Sequence, residues 1–506
     1  MTTTDQATPP PGSPPTASDR VRGTAGALAR KRRVLSSAFV GTTIEWYDFY
    51  LYGTASALIF STQFFPQGSA LAGTVASFAT LAVGVVVRPL GGIIAGHLGD
   101  RIGRKSLLVA SLLLMGVATA IIGLLPTFAQ IGWWAFAGLI VLRLLQGLSA
   151  GAEWGGSALL SVEHAPARQR GLFGSFTQVG SSAGMLLATG AFFIVQQLLD
   201  DEQFASFGWR IPFLASAVLV GFGLWIRLGV EDAPEFLEHR DAGAAPRAPL
   251  AVLLRHHWRP TLVTIGLRLG QNAIYFLITV YMLSYLSDVR GETDIGVTAV
   301  MIASAIGLLS TPLWAWLSDR VGRRAVSIGG YLLIGVFSWG LFAFLDTGPL
   351  ALLPLVVIIG INLAHDSVYG PQAAWFAEQF PVHVRYSGVS FGYQLGSVLG
   401  GGLMPLIAAL LYAAGGRSPW LIAGYLSVLA ALSVVAALLA KDPARDRRDV
   451  ELAELHEGPA AHGAGRAHDA SDARGASERI RTHDRIPTDD QGEPEPALAT
   501  TERTDR

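Results

Sequence analysis

Beyond Arg33 the chain is written in long apolar runs separated by short polar breaks. A helix needs about 20 mostly apolar residues to cross the hydrocarbon core of a bilayer. Twelve runs reach that length, near 34–60, 70–97, 106–125, 131–160, 170–197, 209–229, 259–287, 296–317, 325–345, 350–377, 385–413 and 419–440. They predict an all-α membrane protein of twelve transmembrane helices. Runs one, four, seven and ten are not uniformly apolar. Their polar residues recur at spacings of three and four, which fall on one helical face. Run one aligns Glu45, Asp48 and Tyr52, and run four aligns Arg143, Gln146, Gly147, Ala150 and Trp154. Run seven aligns Arg268, Gln271, Asn272, Tyr275 and Thr279, and run ten aligns Asn362, His365, Asp366 and Tyr369. Glycine pairs four apart, such as Gly151/Gly155 and Gly180/Gly184, let membrane helices approach closely.

The polar breaks fix the expected topology. Arg30-Lys31-Arg32-Arg33 precedes run one, and Lys and Arg then crowd every second break, whereas the others hold only Arg210, Arg290 and Arg417. Cytoplasmic loops carry the basic excess. Both termini are therefore expected in the cytoplasm, with the chain a multi-pass protein of the cell (inner or plasma) membrane. The expected organisation is a disordered cytoplasmic N-terminus over 1–33, a six-helix half over 34–229, a cytoplasmic linker over 230–258, a second six-helix half over 259–440 and a disordered cytoplasmic tail over 441–506. The first residues lack the apolar core of a signal peptide.

The halves repeat. Asp100-Arg101-Ile102-Gly103-Arg104-Lys105 after run two corresponds to Asp319-Arg320-Val321-Gly322-Arg323-Arg324 after run eight. Glu163, Pro166 and Arg170 match Glu378, Pro381 and Arg385, and Gln178-Val179-Gly180 matches Gln394-Leu395-Gly396. Parallel six-helix repeats around an axis normal to the membrane, with binding between them at the midplane, are a known transporter architecture.

Composition narrows the class. Only 15% of the 506 residues are charged, against about 25% in soluble domains. There is no cysteine, which excludes disulfides, Cys-ligated zinc and Cys-ligated iron–sulfur sites. A net charge of −1 argues neither way on nucleic acid, and none is expected as a partner. No Gly-x-x-x-x-Gly-Lys-Ser/Thr loop, His-Glu-x-x-His pair or Ser/His/Asp set is present, so neither an enzyme nor an ATP-driven pump is expected. The expected partners are a small metabolite, a proton and the lipid bilayer. The expected state is a monomer, with no metal and no cofactor.

Acids inside a membrane are functional candidates by default, because each costs about 2.5–3.5 kcal/mol to insert. Asp48, and less strongly Glu45, are candidate proton carriers. Arg88 is expected to pair with one of them. Arg143 and Arg268 present planar forks suited to a carboxylate, which points to an anionic substrate; alternatively each balances Asp48 or Asp366, and a proton-relay role competes for Arg143. His365 with Asp366 is a second candidate proton site. Tyr52, Gln271, Asn272, Tyr275, Tyr369 and Tyr393 are candidate cavity-wall and substrate-binding residues. Gln178 is placed with them or in helix stitching, and Glu153 at the cytoplasmic mouth, as a gate residue or the partner of a loop arginine. Trp133 and Trp134 suit an interfacial anchor.

The loop Gly96-His97-Leu98-Gly99-Asp100-Arg101-Ile102-Gly103-Arg104-Lys105, its second copy at Asp319 to Arg324, and Arg143-Leu144-Leu145-Gln146-Gly147 resemble signature motifs of the major facilitator superfamily. Gly41 to Phe49, Gly151 to Gly156, Trp209 to Phe213 and Tyr386 to Gly396 resemble its metabolite:proton symporter family. The resemblance covers about residues 34 to 440. It implies proton-driven uptake of a small metabolite: shikimate, 2-oxoglutarate, citrate, an aromatic acid, or proline and betaine. An exporter or a proton-independent facilitator is the alternative. Glu231 to Phe236 replaces the pattern expected of a sugar transporter. The resemblance also makes Asp100, Arg101, Arg104, Asp319, Arg320 and Arg323 a cytoplasmic charge network. Glu163/Arg170 and Glu378/Arg385 are expected as ion pairs in the same layer.

Overall fold

The computed structural model describes residues 17–60, 63–64, 80, 83–102, 104–228, 249–292 and 294–449. Among them the chain is helical throughout. The spans are α1 (Ala17–Ala55), α2 (Arg88–Ile102), α3 (Arg104–Leu124), α4 (Trp133–Glu163), α5 (Arg170–Leu198) and α6 (Arg210–Leu228). The second half repeats them as α7 (Trp258–Phe276, continuing to Arg290), α8 (Asp294–Val321), α9 (Arg323–Thr347), α10 (Leu353–Ile358, continuing to Gln379), α11 (Arg385–Ser397, continuing to Ala414) and α12 (Trp420–Leu439). Ten described helices are long and apolar enough to cross a bilayer. The spans outside that count are α1, whose apolar part carries Glu45 and Asp48, and α2, most of whose approach (65–79, 81–82) lies outside the described residues.

The repeat is visible in the packing. In the first half α1 packs on α5, and α3 on α6 and α4; in the second, α7 packs on α11, and α9 on α12. Across the interface α5 meets α8 and α10, and α11 meets α2 and α4. Glycines set the closest crossing: a Cβ on Gly151 would stand 2.1 Å from the Arg88 carbonyl oxygen. This brings Arg88 of α2 against the polar stripe of α4. The outer faces are apolar and exposed, as at Trp225, Val218 and Leu309, and suit contact with lipid. Trp133 and Trp134 stand exposed at the start of α4.

Two expected boundaries need correction. Helix α1 begins at Ala17, inside the stretch expected to be disordered. Its 39 residues exceed the roughly 20 that a bilayer core needs, and residues 27–33, all Ala, Leu, Arg or Lys, propagate an existing helix without a new nucleus. At the other end the chain divides into units Met1–Asp446 and Arg447–Arg506, not at 441. Asp442 is buried, and its carboxylate accepts the backbone N–H groups of Arg323 (3.1 Å) and Arg324 (2.9 Å). It satisfies donors that the first turn of α9 leaves without intrahelical partners. The expected linker contains a helix, Pro249–His256. Residues 1–16, 229–248 and 450–506 lie outside the described residues.

Candidate functional site

Two buried polar centres face each other across the interface. The first belongs to the N-terminal half. Glu45 and Asp48 sit one turn apart on α1, and both are buried. Arg88 of α2 approaches Glu45, Nη1 to Oε1 3.9 Å. Arg143 of α4 lies over the Tyr52 ring at 3.8 Å and donates to Gln146 Oε1 at 3.0 Å. Gln146 Nε2 in turn donates to Thr119 Oγ1 at 2.7 Å, and Tyr52 shares a 2.6 Å hydrogen bond with Thr80. Glu45, Asp48, Arg88, Arg143, Gln146 and Gly147 line one cavity. Neither Asp48 carboxylate oxygen has a hydrogen-bond partner among the described residues. A buried carboxylate without partners is costly, and binding a proton relieves that cost. This centre has the chemistry of a proton site.

The second centre belongs to the C-terminal half, around Arg268 of α7, which is 2% exposed. Its Nε donates to Ser397 Oγ (3.1 Å), its Nη1 to Gln271 Oε1 (2.5 Å) and Gln372 Oε1 (2.9 Å), and its Nη2 to the Tyr393 hydroxyl (2.6 Å). The guanidinium also lies 3.9 Å from the Tyr393 ring centre. All four acceptors are neutral, and no carboxylate pairs with Arg268 among the described residues. A guanidinium has five N–H donors, so one, on Nη2, remains. The Tyr393 hydroxyl accepts from that same nitrogen and keeps its own proton to donate. The Tyr369 hydroxyl has no hydrogen-bond partner among the described residues. Three donors around one guanidinium that no carboxylate touches directly form a receptor for a carboxylate.

From Arg268 a chain of side chains leads through α10. Gln271 contacts His365, whose Nδ1 is 2.8 Å from Asp366 Oδ1. Asp366 Oδ2 accepts from Asn362 Nδ2 at 3.0 Å and from the Ser310 hydroxyl. The His365 ring stacks on Tyr275, centres 4.8 Å apart, and faces Tyr369 at 4.9 Å. A π-helical segment, Ile359–His365, ends at this site; such segments recur at functional positions.

Among the described residues, side chains of the two halves meet on either side of the two centres. The hydroxyls of Tyr50 and Tyr275 touch, joining α1 to α7 inside an aromatic cluster with Trp46 and Phe49. Below, Trp154 of α4 stacks on Tyr393 at 3.4 Å and donates to Gln178 Oε1 at 2.7 Å. Gln178 Nε2 donates to the Tyr369 carbonyl (2.9 Å), and Gln394 Nε2 to the Ala150 carbonyl (3.2 Å), each crossing to the other half. At the end of the bundle that carries the repeated Asp-Arg-x-Gly-Arg loops, Asp319 accepts the backbone N–H groups of Gly171 and Leu172, both at 2.9 Å, capping α5 from the other half. Arg323 joins Asp319 (2.8 Å) and Glu378 (3.3 Å).

The expected ion pairs do not form in the expected combination. Glu163 pairs with Arg385 of the other half, Nη1 to Oε1 3.3 Å, and Glu378 with Arg323. No ion pair joins Glu163 to Arg170 or Glu378 to Arg385 among the described residues. Spacing placed these groups in one layer, but the nearest partner is set by the interface between halves. Arg320 packs on Trp316 at 3.8 Å instead of pairing. The side chains of Asp100, Arg101 and Arg104 lie outside the described residues. Glu153 forms a buried pair with Arg227, supported by Ser111 (3.1 Å) and Ser157 (2.8 Å). Arg143 and Tyr52 lie with the acids, whereas Gln271, Tyr275, Tyr369 and Tyr393 lie with Arg268. Asn272 donates to the Ser397 carbonyl at 2.9 Å, and both ends of the Gln178 amide are occupied, which leaves these two in packing positions. Sequence reading missed Gln372, Ser397 and Tyr50. Extending the run-ten stripe three residues past Tyr369 would have reached Gln372; nothing in the sequence singles out Ser397.

The family model described as Major Facilitator Superfamily matches residues 38–393. The shikimate transporter of Escherichia coli (strain K12) is 43% identical over 423 residues, covering 83% of this chain and 96% of that protein. The proline/betaine transporter of the same organism is 32% identical over 424 residues, covering 82% and 84%. Among solved structures, the proton:xylose symporter XylE from E. coli superposes with a TM-score of 0.68 at 17% identity, covering 81% of this chain and 95% of that one. At that identity the likeness is one of fold.

Proposed function

The chain belongs to the Major Facilitator Superfamily, and from that we propose that it is a proton symporter taking up a small metabolite that bears a carboxylate. The observation that carries this reading is Arg268, a buried guanidinium whose protein partners are all neutral. A guanidinium with no direct carboxylate partner and one N–H to spare offers a planar donor site that suits an anionic group from the substrate. Asp48, buried and with no hydrogen-bond partner among the described residues, supplies the proton site, with Glu45, Arg88 and Arg143 around it. Arg143 then serves the proton side and Arg268 the substrate side. The charge layer at Asp319, Arg323, Glu378, Glu163 and Arg385 holds the cytoplasmic side closed, and alternating access breaks it. The basic bias of alternate loops supports cytoplasmic termini and insertion in the inner membrane. The proton gradient alone drives transport, without a cofactor, and one chain forms the whole site as a monomer.

The relative at 43% identity is named for shikimate, a carboxylate that Arg268, Tyr369 and Tyr393 suit. The relative named for proline and betaine keeps a zwitterion in view. The aromatic group of Trp46, Tyr50 and Tyr275 favours that second reading, because aromatic faces bind quaternary ammonium ions. The test is uptake into proteoliposomes under an inward proton gradient, with shikimate, 2-oxoglutarate, citrate, proline and betaine. Accumulation of an acid, abolished by a protonophore, supports the first reading. Accumulation of betaine alone moves the site to the second, and accumulation that survives the protonophore removes proton coupling.

A further inference from the structure

The direction of every hydrogen bond between Arg268 and Asp366 is fixed by chemistry. A guanidinium only donates. Gln271 must therefore turn its carbonyl oxygen to Arg268 Nη1, 2.5 Å away, which turns its NH2 group to His365. His365 Nε2 must then be an acceptor, without a proton. The ring proton sits on Nδ1 and is donated to Asp366 Oδ1 at 2.8 Å. Asp366 is held as an acceptor on its other oxygen too, by Asn362 at 3.0 Å and by Ser310. The arrangement therefore requires a neutral His365 beside an ionised Asp366.

We propose that His365 is a proton switch on the substrate site, acting on Arg268 through the amide of Gln271. This rests on the reading of Arg268 as the carboxylate receptor. Protonation puts a second N–H on the imidazole, at Nε2, facing the NH2 of Gln271. Two donors cannot bond, so the amide turns over and offers its oxygen to His365. Its NH2 then faces the N–H of Arg268 Nη1, two donors on one gap, a repulsion that an accepting carboxylate oxygen of the substrate relieves. With His365 neutral, Arg268 has one free N–H, on Nη2. With His365 charged it has two, one on each terminal nitrogen, and that pair matches the two oxygens of a carboxylate. Charge follows the same logic. Arg268, neutral His365 and Asp366 sum to zero, the added proton leaves one positive charge, and one carboxylate cancels it. The proton bound at His365 and the substrate anion thus stabilise each other.

Tyr275 stacks on the imidazole and Tyr369 lies tilted against it, and aromatic faces attract a ring that has taken up a proton. The charged and titratable groups facing it are Arg268 and Tyr275 from α7, Asp366 and Tyr369 from α10, and Tyr393 from α11; α8 contributes only Ser310, through Asp366. From α1, Tyr50 reaches only the Tyr275 hydroxyl. The proton site at Asp48 is a separate cavity.

Two measurements test the switch. In uniformly 15N-histidine-labelled protein in nanodiscs, the His365 resonances, assigned by their loss in His365→Gln, report which nitrogen holds the proton. A neutral ring protonated at Nδ1 at high pH is expected; a ring protonated at Nε2 overturns the proposal. In proteoliposomes with equal pH on both sides, counterflow of radiolabelled shikimate gives the KM. Between about pH 8.5 and pH 5.5 the wild-type KM should fall by about tenfold, the worth of one charge-assisted hydrogen bond. His365→Gln and Gln271→Met should each flatten that slope. A full wild-type slope in either His365→Gln or Gln271→Met overturns the switch. If the folded wild type carries no shikimate, the substrate reading fails, and the nitrogen that holds the proton decides the switch by itself.

Discussion

Replacing Arg268 tests the substrate site by charge and by shape separately. Arg268→Gln removes the charge, and Arg268→Lys keeps it but loses the fork. The wild-type guanidinium donates to Ser397, Gln271, Gln372 and Tyr393 and keeps one N–H free. A lysine has three donors, so it cannot satisfy four acceptors and still offer one to a substrate. A hydrogen bond to a charged group contributes about 1.5–3 kcal/mol. Arg268→Gln should therefore raise the KM for a carboxylate substrate roughly 10- to 150-fold. Arg268→Lys should raise it about tenfold, because charge alone is retained without the planar geometry. The assay is counterflow, which needs substrate binding and the swing between states but no net proton movement. Protein folding is checked by size-exclusion profile and thermal transition. A KM within twofold of wild type in folded Arg268→Gln would refute the assignment, and a lowered maximal rate at unchanged KM would place Arg268 in the conformational change instead.

Other outcomes follow from the remaining centres. Asp48→Asn should abolish accumulation against a gradient while counterflow persists; uphill uptake by this variant moves the proton site elsewhere. Glu153→Gln leaves Arg227 buried and unpaired, which costs about 3–5 kcal/mol and should lower the thermal midpoint, and Glu153→Gln with Arg227→Gln should recover part of the loss; additive losses would show that the two are not coupled. Asp319→Asn should loosen the cytoplasmic layer, because it weakens the acceptor for Gly171 and Leu172 and the partner of Arg323. The chain has no cysteine, so one cysteine introduced at Ser387, buried in the first turn of α11 two residues from Arg385, is a unique label, and its alkylation should speed up in that background. Gly151→Ala puts a methyl group 2.1 Å from the Arg88 carbonyl oxygen, and overpacking of this kind costs about 1–3 kcal/mol. It should displace Arg88 from Glu45 and impair proton-driven uptake more than counterflow.

Much of this fold is legible in the sequence because the bilayer imposes a single length rule and a single charge rule. The twelve apolar runs, the basic bias and the repeated Asp-Arg-x-Gly-Arg loops lead to two six-helix halves, and the family follows from the same loops. The polar stripes on α1, α4, α7 and α10 pointed to the interior, where Asp48, Arg143, Arg268 and His365 are buried. What the sequence hid is which stripe meets which. Arg143 and Arg268 look alike in isolation, yet one lies in the acid cavity and the other among neutral amides and tyrosines. That distinction depends on the crossing of α2 with α4 at Gly151 and of α7 with α11 near Ser397 and Tyr393. The cross-paired Glu163 and Arg385 belong to the same class of information, since the partner is chosen by the packing of the two halves. The π-helical turn ending at His365 shifts the register within α10, so a regular helical wheel places His365 and Asp366 only approximately.

The central claim is that proton and substrate cross together. It is tested most directly by adding substrate outside weakly buffered proteoliposomes at zero gradient and following external pH. The account predicts that a transported carboxylate draws protons inward, so the outside becomes more alkaline, and that Asp48→Asn removes the pH signal while exchange of labelled substrate continues. Substrate entry with no change in external pH would contradict the account.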